Sequence, residues 1–517
     1  MMGYFPKSGI GFASLALWAC CAGGVWAQTN PAAPHFLRTG VERAAPLSLH
    51  DFVIRVRESN KDLKSKRTET EIARTGIDRA EAAFQPMAAL SVTDGRNRQP
   101  NTYEESLSRS NEKFYLRDGQ DYSVGISQLL PSGAKLEAKT TLSRFITNIN
   151  QKDGRPPGAN DNRTFWGLTL TQPLAKDGGT EVTRARTVIA GLDIEVASHA
   201  QVEVESSTIA EAAMAYYELI MAQHRVDAAA EKLRTGQRLL QQARDLSRQG
   251  RLSDLEVLEL ENSVSRYQAG LSEAIQGRRD RQNRLHTLAM SNKATEPETW
   301  HASDRLPDVS IEQSSLAHLQ AMRLALESRA DYLMQRKVIE REGVQLVYAR
   351  NQAWPRVDLV ATYGRNGLAL SAPEAYRWST MDDFPTWSVG MQVQIPLGEN
   401  KLGRADIAAA QLRRENALLA LKALEVQIAN DIDSSLSLLA SAAERWMHWR
   451  DVARREQQQL EVERGRFASG RGEMREILVR EERSINSGLM ALEQQMAYAK
   501  AQVVLESALG VLLKRWP

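Results

Sequence analysis

Residues Trp387 to Ile395, "WSVGMQVQI", alternate strictly. Trp387, Val389, Met391, Val393 and Ile395 take one face, and Ser388, Gly390, Gln392 and Gln394 the other. The same period of two runs through "WGLTL", with Trp166, Leu168 and Leu170 opposite Gly167 and Thr169, and through "VDLVATY", with Val357, Leu359, Ala361 and Tyr363 together. "AKLEAKTTL" sets Leu136, Ala138, Thr140 and Leu142 against Lys135, Glu137, Lys139 and Thr141. Alternation predicts half-buried strands. It suits a soluble sheet, and equally a barrel with lipid outside and water inside. Trp166, Trp387 and Tyr363 stand near strand ends, where an aromatic girdle would lie.

A different pattern follows each strand region. No proline occurs from Leu174 to Glu296, nor from Leu397 to Trp516. Proline breaks helix interiors, so these stretches permit very long helices. Alanine-rich segments such as "IAEAAMAYYELIMA" from Ile209 allow close helix packing. Glycines at 250 and 470 mark sharp turns. The expected helices entering them, about Thr180–Arg248 and Lys401–Ala468, are each roughly 100 Å long at 1.5 Å per residue. The helices leaving, about Leu252–Met290 and Glu473–Leu513, are a little over half that length. So are the helices that open each half: one capped by Ser48 and running to about Phe84, the other capped by Ser314 or Ser315 and ending before Pro355. Two half-length helices end to end match one long helix.

The chain also repeats itself. Glu58 and Glu327 lie 269 residues apart, and so do Pro86 and Pro355. Pro173 and Pro396 are 223 apart, and Gly250 and Gly470 are 220 apart. A constant offset over long spans indicates a duplicated unit. The drop from 269 to 223 leaves 46 extra residues between Pro86 and Pro173. They are expected to hold another hairpin, with strands near Tyr122–Leu130 and Ala134–Ser143 turning at Pro131-Ser132-Gly133. Having no counterpart in the second half, this hairpin is expected to tolerate deletion of about Asp121–Ser143 better than the paired strands; a barrel closed by three chains would have about twelve strands, or about eighteen if the hairpin joins it.

Charge is balanced, with Lys+Arg 66 against Asp+Glu 64, which argues against a nucleic-acid surface. Ile10 to Ala22 forms a short apolar core after Lys7, and Val25-Trp26-Ala27 reads as a cleavage site, so residues 1–27 are expected to be an export signal. Cys20 and Cys21, the chain's two cysteines, lie inside it. Lipidation at Cys20 is disfavoured by the bulky Trp18. No later apolar run is long enough for a transmembrane helix. A membrane role therefore needs strands closed into a barrel. The organisation read from these signals is an extension at 28–46, a first repeat at 47–297, a linker at 298–313 and a second repeat at 314–517.

No GxxxxGK[ST], HExxH or GxSxG motif occurs, and the histidines are scattered. The sequence therefore offers no catalytic site, cofactor site or metal site. The alternative to a membrane channel is a periplasmic coiled-coil adaptor or scaffold. The duplication and the amphipathic strands oppose it.

The duplicated order, the strand-Pro-Leu-turn-helix junctions and the turns "GRLSDLEVL" from Gly250 and "GRGEMREIL" from Gly470 together resemble the TolC-type outer-membrane efflux family. The resemblance covers nearly all of the chain after the signal. It implies an α+β membrane protein: a trimeric β-barrel continued by a long antiparallel α-helical tunnel, built from two internal repeats. It implies a homotrimer in the outer membrane of a Gram-negative cell, extending into the periplasm. The implied partners are outer-membrane lipid, a periplasmic adaptor and an inner-membrane efflux or secretion pump. Conduction would be passive.

Two groups of residues are expected to matter. Pro173, Leu174, Gly178 and Gly179, with Pro396, Leu397 and Gly398, stand where chain leaves barrel for tunnel. Arg248, Gly250, Arg251, Asp254 and Glu256, with Gly470, Arg471, Glu473 and Glu476, form the two turns. The resemblance implies a periplasmic tip there that holds the tunnel closed. In the family's second repeat a further acidic residue follows three positions after the one matched by Glu476. Here Val479 stands at that place, followed by Arg480, so a ring of paired carboxylates is not expected; Glu476 alone would bring three carboxylates together in a trimer.

Overall fold

The chain folds as a set of strands at one end and very long helices that run away from them. β1 (Ala44–Leu47) leads into α1 (Leu49–Ser59) and α2 (Lys61–Glu81). β2 (Met87–Pro100), α3 (Tyr103–Ser108), β3 (Phe114–Leu129), β4 (Lys135–Thr147) and β5 (Asp161–Pro173) follow. A single turn, α4 (Thr180–Thr183), opens α5 (Ala185–Arg248), and α6 (Asp254–Leu288) returns. Next come β6 (Thr299–Ala302), α7 (His318–Ser328), α8 (Ala330–Gln352), β7 (Arg356–Ala369) and α9 (Ala372–Thr380). β8 (Pro385–Gln394), α10 (Lys401–Ala468), α11 (Met474–Ala508) and α12 (Leu512–Arg515) complete the chain.

The structure is a computed structural model and describes residues 44–109, 111–149, 159–290, 299–309, 318–381, 383–469 and 471–516. These lie in one compact unit, Ala44–Pro517. The expected export signal, Cys20, most of the 28–46 extension, the caps Ser314 and Ser315, and Gly470 fall outside the described residues.

Helices α5 and α10 have 64 and 68 residues, hence lengths of about 100 Å. Half-length helices stack end to end beside each. Asn60, between α1 and α2, donates through Nδ2 to the last carbonyl of α6, Leu288, at 3.0 Å. Arg329, between α7 and α8, donates to the last carbonyl of α11, Ala508, at 3.4 Å. Both residues are extended, with ψ of 125° and 124°, and they stand 269 residues apart. The opening helices were expected to be continuous. They are broken because each break sits on another helix's end. Asn60 caps α2 with its own Oδ1, whereas Arg329 pairs with Asp331 at 2.7 Å and Asp431 at 3.0 Å.

Midway along the helices, β1 and β6 pair in parallel. β1 begins in the expected extension and β6 lies in the expected linker, and Leu47, Trp300 and Ala302 from them share one core with Phe52 and Tyr216. The Tyr216 hydroxyl donates to the Leu47 carbonyl at 2.7 Å.

The remaining strands form one six-stranded antiparallel sheet in the order β2-β3-β4-β5-β7-β8. Its register merges the separate alternations into a single face. Leu90 of β2 lies opposite Val124, Val124 opposite Thr140, and Thr140 opposite Trp166. Leu168 meets Tyr363, which meets Trp387. Toward the helix end the residues of this face are mostly apolar, and many are exposed: Leu90 and Trp387 are each 73% accessible. The other face carries Ser123 opposite Thr141, Lys139 opposite Gly167, and a row of Thr169, Thr362 and Ser388.

The extra hairpin, expected to tolerate deletion better than the paired strands, occupies the middle of this sheet. β3 pairs with all of β2, and β4 pairs with β5. Its turn reaches the strand–helix junction, where the Gly179 N–H donates to the Ser132 carbonyl at 3.2 Å. Gly133 has φ +89°, and a Cβ there would lie 2.4 Å from the Asp177 carbonyl oxygen. Gly133→Ala is therefore expected to destabilise the sheet by about 1–2 kcal/mol from backbone conformation alone, with the clash adding to it. Melting of the folded form in detergent should occur at a lower temperature than for the parent.

Candidate functional site

Two junctions and two hairpin tips are the places where the chain reverses or bends. At the first junction β5 ends on Pro173, which still aligns with Asp358 of β7. Proline has no N–H to continue the ladder. The Leu174 N–H then donates to Val357 at 2.8 Å and the Lys176 N–H to Pro355 at 3.3 Å. Asp177 and Gly179 take positive φ, 64° and 92°. A Cβ on Gly178 would sit 2.9 Å from the Pro173 carbonyl oxygen. Asn351 at the end of α8 binds both sides of the bend, donating to Ala175 O at 3.1 Å and accepting from the Asp177 N–H at 2.8 Å.

The second junction is built alike. Pro396 follows β8, Leu397 is fully exposed at 100%, and Gly398 and Asn400 take φ of 113° and 42°. Asn400 Oδ1 accepts from the Gly403 N–H at 3.2 Å, capping α10, and its Nδ2 donates to Ala353 O at 2.7 Å. Each junction thus leans on the residues that end α8.

At the first tip Gly250, with φ +69°, closes α5. Its N–H donates to Ser247 O at 2.8 Å, and the Arg251 N–H donates to Leu246 O at 2.9 Å. This bond pair is the Schellman motif, which favours glycine at the left-handed position. The second tip has the matching bond from the Arg471 N–H to Arg466 O, 2.9 Å. Arg248 lies 3.5 Å from Asp245, and the Asp254 carboxylate accepts from Ser247 Oγ at 2.9 Å. Arg251 and Arg471 are exposed.

The acidic residues differ between tips. Ser253 caps α6, its hydroxyl accepting from the Glu256 N–H at 3.3 Å while Glu256 accepts from the Ser253 N–H at 3.1 Å. That is a capping box. The Ser253 backbone N–H, and then its hydroxyl, hold the Glu256 carboxyl below the usual carboxylate range. The box is intact at neutral pH and is lost as pH falls through that lowered pKa. Glu473 stands at the equivalent cap of α11 with no side-chain cap bond. Glu476, freed from any box, accepts from Arg480 Nε at 2.8 Å. Ser253→Ala is expected to weaken the first tip by about 1 kcal/mol, measurable as faster limited proteolysis at Gln249–Arg251.

Sequence reasoning missed the residues that join the two hairpins. Glu481 on α11 is only 7% exposed. It accepts from Arg464 Nη2 of α10 at 2.7 Å and from Thr235 Oγ1 of α5 at 3.5 Å. Beneath it Leu239, Leu240 and Ala243 of the first hairpin pack with Met474 and Ile477 of the second. A buried glutamate on an otherwise charged helix has no signature in one sequence.

No family model matches the sequence, and no curated protein matches it either. Solved structures do. The Campylobacter jejuni CmeC outer membrane channel is 13% identical, with a TM-score of 0.63 over 90% of this chain and 86% of that one. The Vibrio cholerae outer membrane protein VceC is 15% identical, with a TM-score of 0.61 over 89% of this chain and 96% of its own. The open state of the Neisseria gonorrhoeae MtrE outer membrane channel is 16% identical, with a TM-score of 0.58 over 90% of each. This is the TolC-type outer-membrane channel fold. Within the TolC-type fold the junctions lie between sheet and long helices, and the tips lie at the far helical ends. Among the described residues no helix is long and apolar enough to cross a membrane.

Proposed function

We propose that the chain is the outer-membrane channel of a tripartite efflux or type I secretion system. It would conduct substrate passively from an inner-membrane pump, met through a periplasmic adaptor, across periplasm and outer membrane. The observation that carries this reading is the six-stranded sheet, apolar on one face and polar on the other, continuing into helices about 100 Å long. The sheet keeps two open edges, β2 and β8. Open edges are not tolerated in lipid. Because the strands are antiparallel and even in number, β8 of one copy runs antiparallel to β2 of the next. Three copies would close a barrel of roughly eighteen strands.

Two internal repeats account for the paired breaks, junctions and tips. The tips, with Arg248, Gly250, Arg251, Asp254 and Glu256 in one and Gly470, Arg471, Glu473 and Glu476 in the other, would form the periplasmic mouth. The mechanism needs no cofactor and no nucleic acid. A periplasmic adaptor or scaffold is the weaker reading, because it would leave an exposed apolar sheet without a solvent to suit it.

Cysteine pairs test closure. Ser91 of β2, combined in turn with Ser388, Gln392 or Gln394 of β8, should give a disulfide-linked trimer that needs detergent for extraction. Monomers alone from every pair would refute the barrel.

A further inference from the structure

We propose that the outward face of the barrel, at the end away from the helices, binds the phosphate groups of an outer-leaflet glycolipid. This rests on the outer-membrane barrel reading. From the helix end up to Trp166, Tyr363 and Trp387, no outward position of the six strands carries a charge; even the lowest polar ones are Gln128 and Gln172. Immediately above, charge appears on the same face, as arginines at 365, 144, 96 and 98 and aspartates at 94 and 118. Arg365 follows Tyr363 on β7 and aligns with Trp166. Arg144 follows Leu142 on β4 and aligns with Asn162 and Gln120. Arg96 and Arg98 extend the face on β2. Charge thus enters the lipid-facing surface at one end only, and most of it is guanidinium.

Helix α9 completes the surface. It lies on the outward face, where its carbonyls of Ala375 and Ser379 accept from Thr164 Oγ1 at 2.9 Å and Trp166 Nε1 at 2.7 Å. It closes so tightly over Gly367 that a Cβ there would lie 1.9 Å from the Ala375 carbonyl oxygen. The helix presents Arg377 and Tyr376, both exposed, beside exposed Phe384. A ledge of aromatic side chains and arginines suits acyl chains below and phosphates above. Arginine offers planar, forked donors to phosphate oxygens.

Some of this charge is already engaged. Asp118 holds Arg96 at 3.0 Å, and Asp94 shares the outward face, aligned with Gln120, which in turn aligns with Arg144. Arg365 donates to Thr380 O at 3.1 Å. Arg144 faces the Asn160 amide oxygen at 3.0 Å, in the amide orientation that satisfies both groups. Arg365 is held further by the Tyr363 hydroxyl at 3.4 Å and by the Trp166 ring, whereas the Arg144 guanidinium, with five donors, keeps others for a ligand. Arg144 and Arg377 are exposed.

The test uses the full chain purified in detergent and native mass spectrometry with three probes: diphosphoryl lipid A, its dephosphorylated form and phosphatidylglycerol. The parent should retain diphosphoryl lipid A and neither of the others. The variant Arg144→Gln/Arg365→Gln/Arg377→Gln should retain it about tenfold less or worse, with unchanged conductance and heat-modifiable migration. Since Arg365 also braces α9, the pair Arg144→Gln/Arg377→Gln is measured too and should show a smaller loss in the same direction. Equal retention by parent and double variant overturns the proposal. So does equal retention of either control lipid by the parent. A parent that forms no heat-modifiable, membrane-inserted species would instead refute the barrel reading itself.

Discussion

Excision of Asp121–Ser143 is expected to abolish insertion into the outer membrane. The cut removes the halves of β3 and β4 nearest the helices. Met87–Thr93 of β2 then lose their partners Ser127–Asp121. Arg163–Thr171 of β5 lose Ser143–Lys135. Each backbone group left unpaired in hydrocarbon costs several kcal/mol, and the gap would run through the apolar band. The turn that braces the junction at Gly179 goes as well. Removal of the whole hairpin, Phe114–Thr147, is the milder lesion. β2 and β5 run antiparallel once an even pair is deleted, and their outward residues stay on one face. That variant should insert as a narrower barrel, since diameter follows strand number. Membrane fractionation and heat-modifiable migration separate the outcomes. Normal insertion after the partial cut would return the hairpin to an accessory role.

Much of this architecture was legible because it is written in local, repeated chemistry. The alternation at Trp387–Ile395 names an outward face without reference to any partner strand. The absence of proline through α5 and α10 permits their length, and Gly250 marks the turn because few residues tolerate φ +69°. The turn at Pro131-Ser132-Gly133 was equally plain. What it did not reveal was strand order: two strands with identical alternation can add to a sheet's edge or insert into its middle. The helix breaks at Asn60 and Arg329 were hidden for a related reason. Neither is a proline or glycine; each is held open by another helix's end, far away in sequence. The strands β1 and β6 are four residues each, too short for periodicity to register. At the tips, sequence located the turns and their acidic residues. It could not show that Glu256 serves a cap while its counterpart Glu476 turns to Arg480.

Arg480→Gln is expected to strengthen block of single-channel current by multivalent cations, and Glu476→Gln, which leaves the guanidinium uncompensated, to weaken it. A bare carboxylate shares the second result but leaves Arg480→Gln without effect. The difference rests on one side chain. Arg480 Nε lies 2.8 Å from the Glu476 carboxylate, and its Nη1 donates to Gln459 of α10 at 2.6 Å. A carboxylate neutralised this way offers little field to an arriving cation. Removing the guanidinium releases it, and a trimer would then present three such charges around one mouth, where rings of carboxylates select cations. The same region supplies the larger effect on opening. Glu481 ties α10 and α11 to α5 through Arg464 and Thr235. Glu481→Ala deletes a largely buried acceptor, at a cost of about 1–2 kcal/mol once screening at the half-exposed arginine is included. If the two hairpins part to open the tunnel, only the 3.5 Å Thr235 contact of Glu481 crosses between them, so its loss favours the open form by about two- to threefold, roughly 0.5 kcal/mol. Resting conductance in planar bilayers should rise accordingly. Replacing the exposed Arg251 and Arg471 should raise it less. Recordings in which Glu481→Ala and Arg480→Gln both match the parent would remove these turns from the gate and leave them as solvated helix ends.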